Sequence, residues 1–271
     1  MRLISAAGRT LLVAILLTQS ALSASAQSQA PAIPYEPTVG QQGKDVVWVP
    51  TGDALVQKML DLANVTDKDY VIDLGSGDGR TVLAAAKRGA TAHGIEYEPE
   101  MVALSKKRAE EAGLASRATF EKADLFTSDF SKATVITMFL LPSINEKLRP
   151  QLLNLPAGTR IVSNTFTMGT WEADEQATVT DCENWCTALL WIVPAKVDGT
   201  WQTPEGPLVL TQEFQVVNGT LNGNAISGGR LRGDTLVFTA GGATYTGRVS
   251  GKSIAVAVSG GTSASWTATK P

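Results

Sequence analysis

Histidine is nearly absent: His93 is the single one in 271 residues. Cysteine is almost as scarce, with only Cys182 and Cys186, both in "CENWC". Two cysteines and one histidine far away in sequence do not make a zinc site, so no bound metal is expected. No nucleophile triad is visible, and His93, just before Gly94 in a strand-like run, reads as a strand or surface residue rather than a base. An excess of positive charge is also missing. With 23 basic and 26 acidic residues the formal net charge is -3. That implies no basic surface, and nucleic acid is not an expected partner. A spanning apolar run is missing too. A membrane span needs about 20 apolar residues, whereas "LLVAILL" (Leu11 to Leu17) is short and gives way to Thr18, Gln19 and Ser20. With Arg2 and Arg9 before it and Ala24-Ser25-Ala26 after it, residues 1–26 read as a secretory signal peptide. The mature chain is then expected in the periplasm or the medium, with no transmembrane segment. There a Cys182–Cys186 disulfide is the natural pairing, with two free thiols as the alternative.

What is present divides the chain. Residues 27–45, rich in Pro, Gln and Gly, read as a tether or lid. From residue 46 to 195, strand-like runs alternate with helical patterns. "TGDALVQKMLDLANV" has Thr51 as a good N-cap and apolar spacing at Leu55, Met59, Leu62 and Ala63. "YVIDLG", "TAHGIEYE", "RATFEKADLF", "ATVITMFLL" and "TRIVSNTF" read as strands, with helices between them. This βαβα order predicts an α/β fold, a doubly wound Rossmann-like parallel sheet with helices on both faces. From residue 198 to 271 glycine, serine and threonine rise and helical patterns stop. "GRLRGDTLVF" and "GRVSGKSIAV" resemble each other and read as strand, Gly-x turn, strand. "PLVLTQEFQVV" alternates, with Leu208, Leu210, Phe214 and Val216 expected on one face. The tail is therefore a small antiparallel all-β module, either a partly closed barrel or a meander. Arg230, Arg232 and Arg248 in it could meet an anionic partner or simply line an exposed strand face.

The stretch "DLGSGDGR" (Asp73 to Arg80) follows a buried strand and opens a helix. A ligand usually binds there in a parallel sheet. The dinucleotide fingerprint fails, because Arg80 stands where its third glycine would be. Carboxylates at Asp73 and Asp78 repel a pyrophosphate but suit a ligand carrying ammonium and sulfonium charge. The next strand ends in Glu96, where an acid can accept hydrogen bonds from both ribose hydroxyls.

"VIDLGSGDGR", "GIEYEPE" and "KADLF", in this order, resemble a class I S-adenosylmethionine-dependent methyltransferase. The resemblance implies S-adenosylmethionine as cofactor. It places Gly75, Gly77 and Gly79 against the methionine part and Asp73 at its ammonium end. Glu96 would hold the ribose, Tyr97 would lie beside the adenine, and Asp124 with Leu125 would meet the adenine edge. From about Asp45 to Trp171 the chain is similar to the lysine methyltransferases related to the mitochondrial enzymes that modify the ATP synthase c subunit and the adenine nucleotide carrier. In that resemblance "WVPT" covers the cofactor, with Val49 and Thr51 in contact. It implies a protein lysine as the leading methyl acceptor. A small-molecule N- or O-methyltransferase, or a binding module that has kept the fold, are the alternatives.

Transfer of a sulfonium methyl needs alignment and desolvation more than a protein nucleophile. A lysine acceptor must lose a proton, which at pH 7 costs about 4.6 kcal/mol from its reference pKa. Burial and the sulfonium charge both lower that cost, so a general base is optional. The acceptor is expected beyond the fourth strand, at "FLLPSIN". There Leu140-Leu141-Pro142-Ser143 replaces the Asn/Asp-Pro-Pro-aromatic of enzymes acting on nucleobase or glutamine amino groups. Asn145 is a candidate to orient the acceptor amine, or else to stabilise a helix start. In "NTFTMGTW", Trp171 is the expected site residue and Phe166 the expected core residue. Oligomeric state is not indicated.

Overall fold

The protein is described here by a computed structural model covering residues 35–261 and 265–271. The expected signal peptide and residues 27–34 of the tether lie outside the described residues. Among the described residues no helix is long and apolar enough to cross a membrane.

The first layer is a sheet of seven strands. They are β1 (Tyr70–Leu74), β2 (Thr91–Glu96), β3 (Ala118–Lys122), β4 (Val135–Met138), β5 (Arg160–Asn164), β6 (Glu175–Thr178) and β7 (Thr187–Ile192), in the order β3-β2-β1-β4-β5-β7-β6. The first five run parallel, and β7 returns antiparallel between β5 and β6. The sequence pattern predicted the parallel strands but not this antiparallel pair. Alternation along each strand feeds two cores. Val71, Ala92, Val135, Val162 and Leu190 face α1 (Asp53–Leu62), α2 (Arg80–Lys87) and α3 (Pro99–Glu111). Ile72, Ile95, Ile136, Ile161 and Trp191 face α4 (Pro142–Leu152) with Phe130 and Trp171. Burial on both faces is what makes these strands read as continuous apolar runs.

Thr51 does not cap α1. The N-cap is Gly52, without a side-chain hydrogen bond. Thr51 is buried instead, and its Oγ1 accepts from Asn164 Nδ2 at 3.2 Å. That bond ties the entry of α1 to the end of β5, across the top of the sheet.

The second layer comprises β8 (Gly199–Thr203), β9 (Gly206–Glu213), β10 (Val216–Leu221), β11 (Asn224–Ala225), β12 (Ser227–Arg232), β13 (Thr235–Ala240), β14 (Ala243–Ser250), β15 (Ser253–Ser259) and β16 (Trp266–Thr269). All pairings are antiparallel, and β16 returns to β8 while β9 pairs with β10. The meander thus closes into a barrel, with β11 as a short flank on β10, and closure removes the exposed edges. Trp201, Leu208, Leu231, Leu236, Phe238 and Ile254 fill its interior. The two similar stretches are the hairpins β12–β13 and β14–β15, turning at Gly233 and Gly251.

The face predicted for "PLVLTQEFQVV" breaks at the turn between β9 and β10. Leu208 and Leu210 point inward, but Val216 is exposed and Val217 is buried in its place. The cause is a two-residue turn, Phe214-Gln215, which resets the phase. Phe214 leaves the barrel altogether and stacks on Trp171 of the first layer, 5.9 Å between ring centroids. Gln215 Nε2 donates to the Glu172 carbonyl at 2.9 Å. Arg230 pairs with Asp174 at 2.8 Å, and Arg232 pairs with Glu175. Two of the three arginines thus join the layers, and Arg248 pairs within the barrel with Asp234.

Candidate active site

The strand order reverses at β1, whose neighbours are β2 on one side and β4 on the other. A crevice opens there, beyond the carboxyl ends of the strands, where open α/β sheets bind ligands. The chain leaves β1 and turns through Gly75, Gly77 and Gly79, all with positive φ. Gly75 and Ser76 donate from their backbone N–H groups to the Ile95 carbonyl at 2.9 and 3.0 Å, folding the loop back onto β2. At Gly77 a Cβ would lie 2.6 Å from the Trp48 indole nitrogen, so a side chain there would push the covering segment away. Gly79 has a different task. A Cβ there would meet Ser105 at 2.8 Å and the Phe120 ring at 2.9 Å. It does not line the crevice; it lets α2 start close against α3 and β3.

Glu96 is the organising carboxylate. Its Oε2 accepts from Gly77 N at 2.8 Å, and its Oε1 accepts from Tyr97 N at 2.7 Å and Glu98 N at 2.9 Å. The end of β2 and the glycine loop are thereby held by one side chain. Asp73 is buried, and its Oδ1 accepts from Thr137 Oγ1 at 2.6 Å. Burial, opposed by the Thr137 bond and reinforced by the charges of Glu96 and Asp78, pushes its carboxyl up to about 7. Asp78 does not face the ligand space. Burial would raise its pKa, but hydrogen bonds from Arg80 and Arg108 hold it below the usual carboxylate range.

The segment before α1 forms a lid. Gly40 N donates to the Trp48 carbonyl at 2.8 Å, and Trp48 N to the Gln41 carbonyl at 2.8 Å. Lys44 at its tip reaches Asp124 Oδ2 at 2.6 Å and lies 4.6 Å from the Tyr97 ring centre. That hydrogen bond holds the Asp124 carboxyl below its ordinary range and raises the Lys44 ammonium.

Val49, Thr51, Asp73, Gly75, Gly77, Glu96, Tyr97, Asp124 and Leu125 all line this one cavity. Asn145 and Trp171 do not. Asn145 is fully buried, and its Nδ2 donates to the carbonyls of Phe166 at 3.3 Å and Thr167 at 3.1 Å. It fixes the loop after β5 instead of meeting an acceptor. Trp171 is also fully buried, between Trp191 and Phe214. Phe166 takes the place expected for it and lines the cavity, stacked on Phe139 at 5.8 Å. The exchange has a local cause: Thr165 has φ 59°, so the strand alternation stops one residue before Phe166. Lys44, Trp48, Phe139 and Trp185 are lining residues that sequence reasoning did not single out. Trp185 stands edge-on to Phe139 at 5.8 Å, in a loop closed by the Cys182–Cys186 disulfide. His93 lies outside the cavity, with Nδ1 2.8 Å from Thr119 Oγ1. Among the described residues no cluster of His, Cys, Asp and Glu could hold a metal ion.

Replacing Asn145 by alanine removes both bonds to the Phe166 loop. A loss of about 1–2 kcal/mol is expected from the two lost hydrogen bonds of the buried amide to the half-buried loop. The thermal midpoint should fall by several degrees, with ligand affinity of the glycine-loop cavity, which Asn145 does not line, unchanged within about twofold. Paired melting and calorimetry check both.

A glycine cradle, a buried carboxylate paired with no cation among the described residues, and an acid at the end of β2 fit a ligand with an ammonium, a sulfonium and a ribose. This is the site of a class I S-adenosylmethionine-dependent methyltransferase. Comparison with known proteins agrees. Residues 73–175 match the family described as the ANTKMT methyltransferase domain. A protein-lysine N-methyltransferase of Saccharolobus islandicus is 39% identical over 151 residues, 55% of this chain and 94% of the relative. The adenine nucleotide translocase lysine N-methyltransferase of Mus musculus is 38% identical over 104 residues, 38% of this chain and 45% of that protein. A crystal structure of a Salinibacter ruber protein described as an RNA methyltransferase, in complex with S-adenosyl-L-homocysteine, shares 44% identity. It covers 55% of this chain and 96% of that one, with a TM-score of 0.52. The chain thus spans nearly all of the archaeal relative and less than half of the mouse one. It belongs to the class I S-adenosylmethionine-dependent methyltransferases, in the group related to the ATP synthase c-subunit and adenine nucleotide translocase lysine N-methyltransferases.

Proposed function

We propose that the protein methylates the side-chain amine of a protein lysine, and that it does so outside the cytosol. The observation that carries the acceptor is the far wall of the cavity. Phe139, Leu140, Leu141, Ile144, Phe166 and Trp185 line it, and all are apolar. Such a wall has one side-chain donor, the Trp185 indole N–H, and no side-chain acceptor, which is too little to read a nucleobase edge by hydrogen bonds. It suits an aliphatic chain ending in an amine. The names of the archaeal and mouse relatives point the same way. Export is supported by the disulfide, since disulfides persist in oxidising compartments, and by the leader-like pattern of residues 1–26.

When bound, S-adenosylmethionine supplies an electrophilic methyl group on a sulfonium and leaves as a neutral thioether. The chain does the rest. Asp73 takes the ammonium, and Glu96 takes the ribose hydroxyls while holding the glycine loop. Trp48 and Val49 exclude water from above. The apolar wall strips water from the acceptor and lowers its pKa, which favours the neutral amine without a protein base.

The test is calorimetric titration of residues 27–271 with S-adenosylmethionine and S-adenosylhomocysteine, then labelled-methyl transfer to envelope protein, small-molecule extract and total RNA. Micromolar binding and methyl-lysine in the protein hydrolysate are expected. Label confined to the small molecules or to RNA would move the acceptor to that class. Binding without transfer to any of the three would leave a binding module.

A further inference from the structure

The loop "CENWC" reaches the cavity with one ring, and neither the fold nor the cofactor contacts account for its disulfide. It follows β6, and the disulfide joins its two ends. On one side the sheet pairing continues past the strands, where Val179 N donates to the Cys186 carbonyl at 2.9 Å. Between the cysteines the chain makes a tight turn, and Trp185 sits in it with φ 54°. A bulky side chain at positive φ is uncommon and needs surrounding structure to hold it. Trp185 is also 42% exposed, although it is one of the largest apolar side chains in the molecule. Its ring still reaches the cavity, edge-on to Phe139, which in turn stacks on Phe166.

The geometry points to Trp185 as a specificity-determining residue: the rings of Phe139, Phe166 and Trp185 form the channel for an alkylammonium acceptor, and the disulfide holds its outer wall in place. This deepens the reading above and rests on the acceptor being an amine. Three elements contribute one ring each: the end of β4, the loop after β5, and the disulfide loop. Aromatic faces attract an ammonium before it is deprotonated, and their apolar bodies cover the aliphatic stem. A disulfide that closes so short a loop removes less loop-closure entropy than one spanning a long loop. Local ordering of Trp185 is the use that the surroundings support.

The probe is Nα-acetyl-lysine methylamide, with Nα-acetyl-norleucine methylamide as the apolar control. The S-adenosylhomocysteine-loaded protein carries 5-fluorotryptophan, and the Trp185 resonance is the one missing from the Trp185→Phe variant. That resonance should shift on titration with the lysine compound and stay put with the norleucine compound. In methyl transfer to poly-L-lysine, Trp185→Ala should raise KM at least tenfold with S-adenosylhomocysteine affinity within twofold of the parent. Trp185→Phe should recover most of the loss. Cys182→Ser with Cys186→Ser should behave between the two, and dithiothreitol should reproduce that loss in the parent but leave the double variant unaffected. A Trp185 resonance indifferent to the lysine compound, or an unchanged KM in Trp185→Ala, overturns the proposal. Failure of the parent to bind S-adenosylhomocysteine, or to methylate any amine, is a separate result and strikes the parent reading instead.

Discussion

Asp73→Asn should make the unliganded protein more stable at pH 8 and, at the same time, a far weaker binder of S-adenosylmethionine. The carboxyl is buried and its pKa is pushed up to about 7, first by burial. An acid whose folded pKa lies above its unfolded value binds more protons in the folded state. Its presence therefore costs stability progressively as pH rises from about 4 to about 7, and the whole cost stands above that. Asparagine keeps an oxygen for the Thr137 hydroxyl and carries no charge. The expected gain is about 5 °C in thermal midpoint at pH 8, shrinking towards nothing near pH 4. Binding goes the other way. Loss of a charge-assisted contact to the ligand ammonium is worth about 1.5–3 kcal/mol, or about a hundredfold in affinity. With saturating S-adenosylmethionine the order of midpoints should invert, because ligand stabilises only the form that binds it. The parent's own affinity should fall as pH drops below about 7. Melting curves from pH 5 to 8, with and without ligand, decide it. An Asp73→Asn variant no more stable than the parent at pH 8 would show that the carboxylate is not the buried burden described here.

Glu96→Ala should have the larger effect on binding, about a thousandfold. Two losses combine. The ribose hydroxyls lose their acceptor, and three backbone N–H groups, of Gly77, Tyr97 and Glu98, lose theirs. Each orphaned donor that stays out of water costs about 1–3 kcal/mol, so the glycine loop should loosen as well. Glu96→Gln separates the two contributions. Its amide oxygen can still serve the N–H pair of Tyr97 and Glu98, but its NH2 then meets Gly77 N as donor against donor. Calorimetry should place it between parent and alanine. Equal affinity for all three proteins would remove Glu96 from the ligand site.

The central strands β1, β4 and β5 and the glycine turn were legible because burial on both faces writes apolar runs, and because a tight strand-to-helix turn needs glycine; the edge strand β3 was legible by alternation. Glu96 was legible as an acid at a strand end, and Asp124 through the family resemblance. What escaped depends on contacts distant in sequence or on broken phase. Lys44 meets Asp124 across 80 residues, and no local pattern announces that. Phe166 and Trp171 exchanged their expected places because Thr165, at φ 59°, ends the alternation. Val216 turned outward because Phe214-Gln215 resets it. Strand β6 was missed because it is largely exposed and shows no apolar run, whereas β7 carries a buried apolar run, Ala188 to Ile192, that was legible and was passed over. Closure of the barrel rests on pairing of β16 with β8, which no hairpin signal encodes.

The ring of Phe214 makes the barrel part of the lid on the α/β core. Stacked on the fully buried Trp171, and flanked by the Gln215 and Arg230 bonds to Glu172 and Asp174, it keeps that face out of water. The barrel is thus a structural wall of its neighbour, and cutting the chain before it would bare an indole that the rest of the fold leaves uncovered.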